Sequence, residues 1–138
     1  MLLQHRNNLL FRKSLLLHSS VLYGPDFNPF WREFSVAGHL VETVKSKLRP
    51  VDRLFRYGGE EFVILCPAMM HADALRRAEE IRIAISDQIA TPDGRSVTAS
   101  IGLSSTPADG VSVEDLLAQA DLRLYAAKGR GRNCVVGR

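Results

Sequence analysis

The chain has 138 residues, 46% of them hydrophobic and 24% charged, which is enough for one globular domain that buries a core without metals or disulfides. Its formal charge of +3 comes from 18 basic and 15 acidic residues scattered among one another. That distribution excludes the one-sided basic stripe of a duplex nucleic-acid binder.

The Leu-rich start is interrupted by Gln4, His5, Arg6, Arg12, Lys13 and His18, so no apolar run reaches the length of a bilayer span. Leu15-Leu16-Leu17 is too short for the core of a secretory signal, and no small-residue cleavage site follows it. Ser14 to Tyr23 is compatible with a strand, after which Gly24-Pro25 and Pro29 break the chain repeatedly. Leu40, Val41, Val44 and Leu48 recur at helical spacing and predict a helix that stops before Pro50.

Leu54 to Tyr57 and Phe62 to Cys66 are short, rich in strand formers and joined across Gly58-Gly59, which is a hairpin signal. Leu75, Ala78, Ile81, Ile85 and Ile89 predict a one-faced helix closed by Pro92-Asp93-Gly94. Ser96 to Ser104 alternates as a strand in which Gly102 leaves room for a close neighbour. Ser112 to Ala127 is a further helix, with Ser112 as its cap and Asp115 at the third helical position. Cys134 to Val136 makes a last short strand. Cys66 and Cys134 fit neither metal spacing nor a disulfide framework, so reduced thiols in a cytoplasmic protein are expected. Strands alternating with helices argue for a sheet covered by helices, of α/β or α+β class. Phe62, Ile64, Val97, Ile101, Leu116 and Leu124 are its expected core.

Two clusters carry candidate chemistry. Gly58-Gly59-Glu60-Glu61-Phe62 sets two residues without side chains beside two carboxylates at a hairpin tip. Glycines let a nucleotide approach the backbone, and a hard carboxylate can hold magnesium; the plainer reading is an acidic turn. Lys128 and Arg132 stand four residues apart around the end of the last helix, where they could grip phosphates or simply complement the helix C-terminus.

The run Arg56-Tyr57-Gly58-Gly59-Glu60-Glu61-Phe62-Val63-Ile64-Leu65, then Ala99-Ser100-Ile101-Gly102-Leu103, then Ala120-Asp121, Leu124 to Lys128 and Gly131-Arg132-Asn133, resembles the GGDEF-type diguanylate cyclase domain in order and spacing. The likeness covers roughly ninety residues, and implies a central, mostly antiparallel sheet flanked by helices, with a divergent start at residues 1–35 and the main domain at 36–138. By the family's pattern, Glu60 and Glu61 are catalytic, and Glu60 holds Mg²⁺ or Mn²⁺. Gly58 and Gly59 pack against the nucleotide, and Lys128 and Arg132 hold the triphosphate. The implied reaction joins two GTP molecules into cyclic di-GMP with release of pyrophosphate, which calls for two domains face to face as a homodimer.

Arg49-Pro50-Val51-Asp52 stands where many members of that family carry the R-x-x-D site for inhibitory product; the plainer reading is an ion pair at a helix end. In the family a second Arg completes this site from the following helix, but here Glu80 takes that place, with Arg76, Arg77 and Arg82 nearby. Upstream of Arg49 the pattern thins. Asp26 in Asp26-Phe27-Asn28-Pro29 is the candidate for a second metal carboxylate, and His39 falls where a guanine-reading Asp belongs, with no Asn at the other base contact. The residues are compatible with three outcomes: a cyclase, a degenerate domain that binds cyclic di-GMP, and a non-functional fragment.

Overall fold

The computed structural model describes the backbone of residues 8–16 together with residues 38–57, 61–92 and 94–138. Of the elements expected from sequence, residues 17–23 of the first strand and Asp93 of the turn lie outside the described residues. In chain order the elements are β1 (Asn8–Leu16), α1 (38–45), β2 (Arg53–Arg56), β3 (Glu61–Pro67), α2 (His71–Gln88), β4 (Thr98–Ser105), α3 (Val113–Gly129) and β5 (Val135–Val136). The fold is α+β. Its sheet runs β2-β3-β1-β4-β5, antiparallel throughout except for the parallel pairing of β4 with β5.

β1, Asn8–Leu16, begins before the expected Ser14–Tyr23 strand, overlaps it at Ser14 to Leu16, and occupies the middle of the sheet. Its register pairs Phe11 with Ile64 on one side and with Leu103 on the other. A strand hydrogen-bonded on both edges need not show the clean alternation of a half-exposed strand, and the Arg12-Lys13 pair inside it conceals the apolar run.

Alternation sorts the side chains of β3 and β4 between two helical layers. Phe62, Ile64, Cys66, Ala99, Ile101 and Leu103 face the buried cluster that includes Leu40 and Val44 of α1 and Ala78, Ile81 and Ile85 of α2. α1 stops in tight turns, with the Leu48 N–H bonded to the Lys45 carbonyl, before Pro50 ends the helical path. All six expected core residues are buried.

The opposite face belongs to α3. A Cβ at Gly102 would come within 2.0 Å of the Ala120 carbonyl oxygen and 2.4 Å of the Leu124 nitrogen, so helix and strand backbones are in contact there. Ser104 Oγ donates to the Leu116 carbonyl at 2.7 Å, and Ser112 caps the helix by accepting from the Asp115 N–H at 3.0 Å. Farther along, Arg123 grips the loop after β4: Nη1 and Nη2 donate to the two oxygens of Asp109 at 2.8 and 2.7 Å, and Nη1 also donates to the Leu103 carbonyl. The Asp109 carboxyl, bonded by Arg123 and by the Ser105 N–H, is held down at about 2.

Candidate functional site

Glu61 is the first residue of β3. Val63 and Leu65 meet Leu116 and Leu117 of α3, so the period of two assigns Glu61 to the α3 face as well. β1 carries the register across the sheet: Ser14 pairs with Glu61 on one side and with Ser100 on the other. Glu61 and Ser100 thus share one rung, roughly 10 Å apart at two strand spacings.

α3 runs toward that rung. It meets Ser104 at Leu116 and Gly102 at Ala120 and Leu124, and one turn later Lys128 reaches the level of Ser100. The carboxylate at the foot of the hairpin and the basic helix end therefore converge on one end and one face of the sheet. Gly58, Gly59, Glu60 and Asp26 lie outside the described residues, so Glu61 represents the acidic side of this pair.

Lys128 is half-buried and Arg132 is exposed. Gly131, Arg132 and Asn133 all have positive φ, at 97°, 67° and 46°, which reverses the chain from α3 into β5. For Arg132 and Asn133 this conformation costs on the order of 1 kcal/mol each, and such backbone is held only where its surroundings fix it. The fixing contacts are present. The Arg132 N–H donates to the Ala127 carbonyl at 3.1 Å, and Arg82 Nη1 donates to Asn133 Oδ1 at 3.0 Å.

A second candidate site lies where α1 turns into β2. Arg49 donates from its backbone N–H to Asp52 Oδ2 at 2.8 Å, from Nη2 to Oδ1 at 2.7 Å and from Nε to both oxygens. Nη2 also donates to the Pro67 carbonyl at 2.8 Å. The Asp52 side chain is fully buried while that of Arg49 is 33% exposed, so the carboxylate anchors the guanidinium from its buried side. Its side-chain bond to Asp52 raises the Arg49 pKa. Beneath the pair, burial pushes the Cys66 thiol up to about 12, with Asp52 adding to the effect.

The position of a second site Arg is filled differently. Glu80 is paired with Arg76 at 2.8 Å and with Arg77 at 3.4 Å, and Arg77 Nη1 donates to the Lys47 carbonyl. Lys45 and Arg53 line the cleft beside Arg49 and Asp52; no motif marks either of them. His39 is an exposed residue at the start of α1. Among the described residues there is no group of three or more His, Cys, Asp or Glu suited to a metal ion, and no helix long and apolar enough to cross a membrane.

The family model for the diguanylate cyclase GGDEF domain matches residues 36–134. The chain belongs to this family. Over 97 residues it is 48% identical to the response regulator PleD of Caulobacter vibrioides, an alignment covering 67% of this chain and 21% of that protein. Diguanylate cyclase A of Treponema denticola is 36% identical over 102 residues, covering 72% of this chain and 28% of the relative. The chain thus spans from about a fifth to just over a quarter of the length of these relatives.

Solved GGDEF domains share the fold. That of YfiN (TpbB) from Pseudomonas aeruginosa superposes with a TM-score of 0.83 at 25% identity, covering 96% of this chain and 82% of that one. The GGDEF domain of DgcB from Caulobacter crescentus, determined in complex with c-di-GMP, gives 0.78 at 23% identity, covering 95% and 77%. These GGDEF likenesses extend upstream of residue 36, where the family model stops.

Proposed function

We propose that this chain is a diguanylate cyclase-type domain that joins two GTP molecules into cyclic di-GMP. The observation that carries the reading is the convergence of Glu61 and Lys128 on one end and one face of the sheet. Each 3′-hydroxyl attacks the α-phosphate of the other nucleotide; a phosphodiester forms, pyrophosphate leaves, and the hydroxyl proton is lost. Glu61 lies beside the attacking ribose, and Gly58 and Gly59 let the nucleotide approach the hairpin backbone. Lys128 as a compact charge and Arg132 as a planar fork hold the phosphates. Mg²⁺ or Mn²⁺, suited to the hard oxygens of Glu60, Glu61 and Asp26, supplies charge neutralisation on the phosphates when bound.

One domain holds one GTP in this reading, so turnover takes place between two copies related by a two-fold axis. Residues 1–35 are the divergent start of a domain whose main body is 36–138. GTP as substrate and the free thiols of Cys66 and Cys134 suit the cytoplasm. Product returns to Arg49 and Asp52 and inhibits.

A second reading is a cyclic di-GMP receptor without turnover. It is favoured by the fully formed Arg49–Asp52 pair, set against His39 at the place of a guanine-reading carboxylate. Unpaired guanine donors in a dry site would cost about 1–3 kcal/mol.

Purified protein incubated with GTP and magnesium or manganese is expected to form cyclic di-GMP, and Glu60→Ala to slow formation by about 100-fold or more. Binding of cyclic di-GMP that is lost in Arg49→Ala, without product from GTP, would instead support the receptor. Neither product nor binding would contradict both and leave a non-functional fragment.

A further inference from the structure

Along the face of β4 that α3 covers, Ser104, Gly102 and Ser100 follow one another at the strand's period of two. Each meets the helix differently. Ser104 Oγ donates to the Leu116 carbonyl at 2.7 Å, and Gly102 brings the two backbones into contact at Ala120 and Leu124. Ser100 is 1% exposed, yet its Oγ has no hydrogen-bond partner among the described residues.

The carbonyls at the end of α3 are already engaged, so Ser100 does not repeat the bond that Ser104 makes. The Ala126 carbonyl accepts the Arg130 N–H at 3.0 Å, and the Ala127 carbonyl accepts both the Arg132 N–H at 3.1 Å and the Cys134 thiol at 3.5 Å. A buried hydroxyl left unsatisfied lowers stability, whereas alanine would fill nearly the same space without that penalty. A serine at this position calls for a partner that arrives with the working state of the site.

Such a partner lies one helix turn past the Gly102 contact. Lys128 reaches the level of Ser100 and is half-buried, and its ammonium makes no hydrogen bond or ion pair with any described residue. An ammonium carries three donors and no acceptor, so a hydroxyl can accept from one of them while phosphate oxygens accept from the others.

We propose that Ser100 is the positioning residue for Lys128: its hydroxyl accepts one ammonium hydrogen and holds the other two toward the triphosphate of a bound GTP. This rests on the reading of Lys128 as part of the phosphate clamp. The bond forms when the nucleotide draws Lys128 across the rung, so the hydroxyl contributes to nucleotide binding and not to the stability of the free fold.

Calorimetric titration of wild type, Ser100→Ala, Lys128→Ala and the double variant with magnesium and a non-hydrolysable GTP analogue tests this, with thermal midpoints of the nucleotide-free proteins measured alongside. Ser100→Ala is expected to leave Tm unchanged or raised while weakening the analogue by about fivefold or more. Lys128→Ala is expected to weaken it further. Adding Ser100→Ala to Lys128→Ala is expected to change affinity by less than about twofold, because the hydroxyl then has no ammonium to hold. A lowered Tm in Ser100→Ala, an unchanged affinity, or a loss that multiplies with that of Lys128→Ala would overturn the proposal and leave the GTP site standing. If wild type binds no analogue, the proposal falls together with the cyclase reading.

Discussion

Asp109 receives both prongs of Arg123 and the Ser105 N–H with only 6% of its side chain exposed. Because its folded pKa, about 2, lies below the ordinary 3.8, the bridge contributes stability that is complete above about pH 4. This contribution is lost as pH falls through about 2, and it amounts to about 2 kcal/mol. Asp109→Asn is expected to lower stability at pH 7 by about 3 kcal/mol, since Arg123 is then left half-enclosed without its counter-charge. Denaturant midpoints measured from pH 6 to pH 2 check both points: wild type should lose stability steeply below pH 4, and the variant should follow a flatter curve. The two residues are 14 apart in sequence, and each alone reads as an ordinary surface charge, so nothing in the sequence pairs them. Glu61 and Lys128 were legible because each sits in a motif. Lys45 and Arg53 sit in none, and only the fold brings them into a cleft.

Among the elements, β4 and α3 define the site most directly, because the helix end that carries Lys128 is set by how closely α3 lies on the strand. Gly102 permits that approach. Gly102→Val forces side-chain atoms into the Ala120 carbonyl and the Leu124 backbone, and an overpacked interface of this kind is expected to cost about 3 kcal/mol. In a thermal unfolding scan this appears as a clear drop in Tm; an unchanged Tm would mean that the helix does not rest on this glycine. The strand, its glycine and the Ser112 cap were all readable from alternation and capping chemistry. The left-handed run at Gly131 to Asn133 was not, since Arg is an improbable residue for that conformation.

For the molecule as a whole, the least legible feature is the strand at its centre. Asn8–Leu16 joins β3 to β4, yet its charges and the proline-broken stretch behind it point away from a buried strand. What identifies it is a demand made by the rest of the fold: without a strand between them, β3 and β4 would each present an unpaired edge. The same strand carries the register from Glu61 to Ser100, so the candidate active site depends on a segment that resembles no motif. A crystal structure with magnesium and a non-hydrolysable GTP analogue tests that dependence most directly. The triphosphate should lie at the hairpin end of the sheet on the α3 face, with Lys128 Nζ on a phosphate oxygen and the Glu61 carboxylate beside the ribose. A nucleotide seated elsewhere, or at that end with Lys128 turned away from every phosphate, would contradict the account.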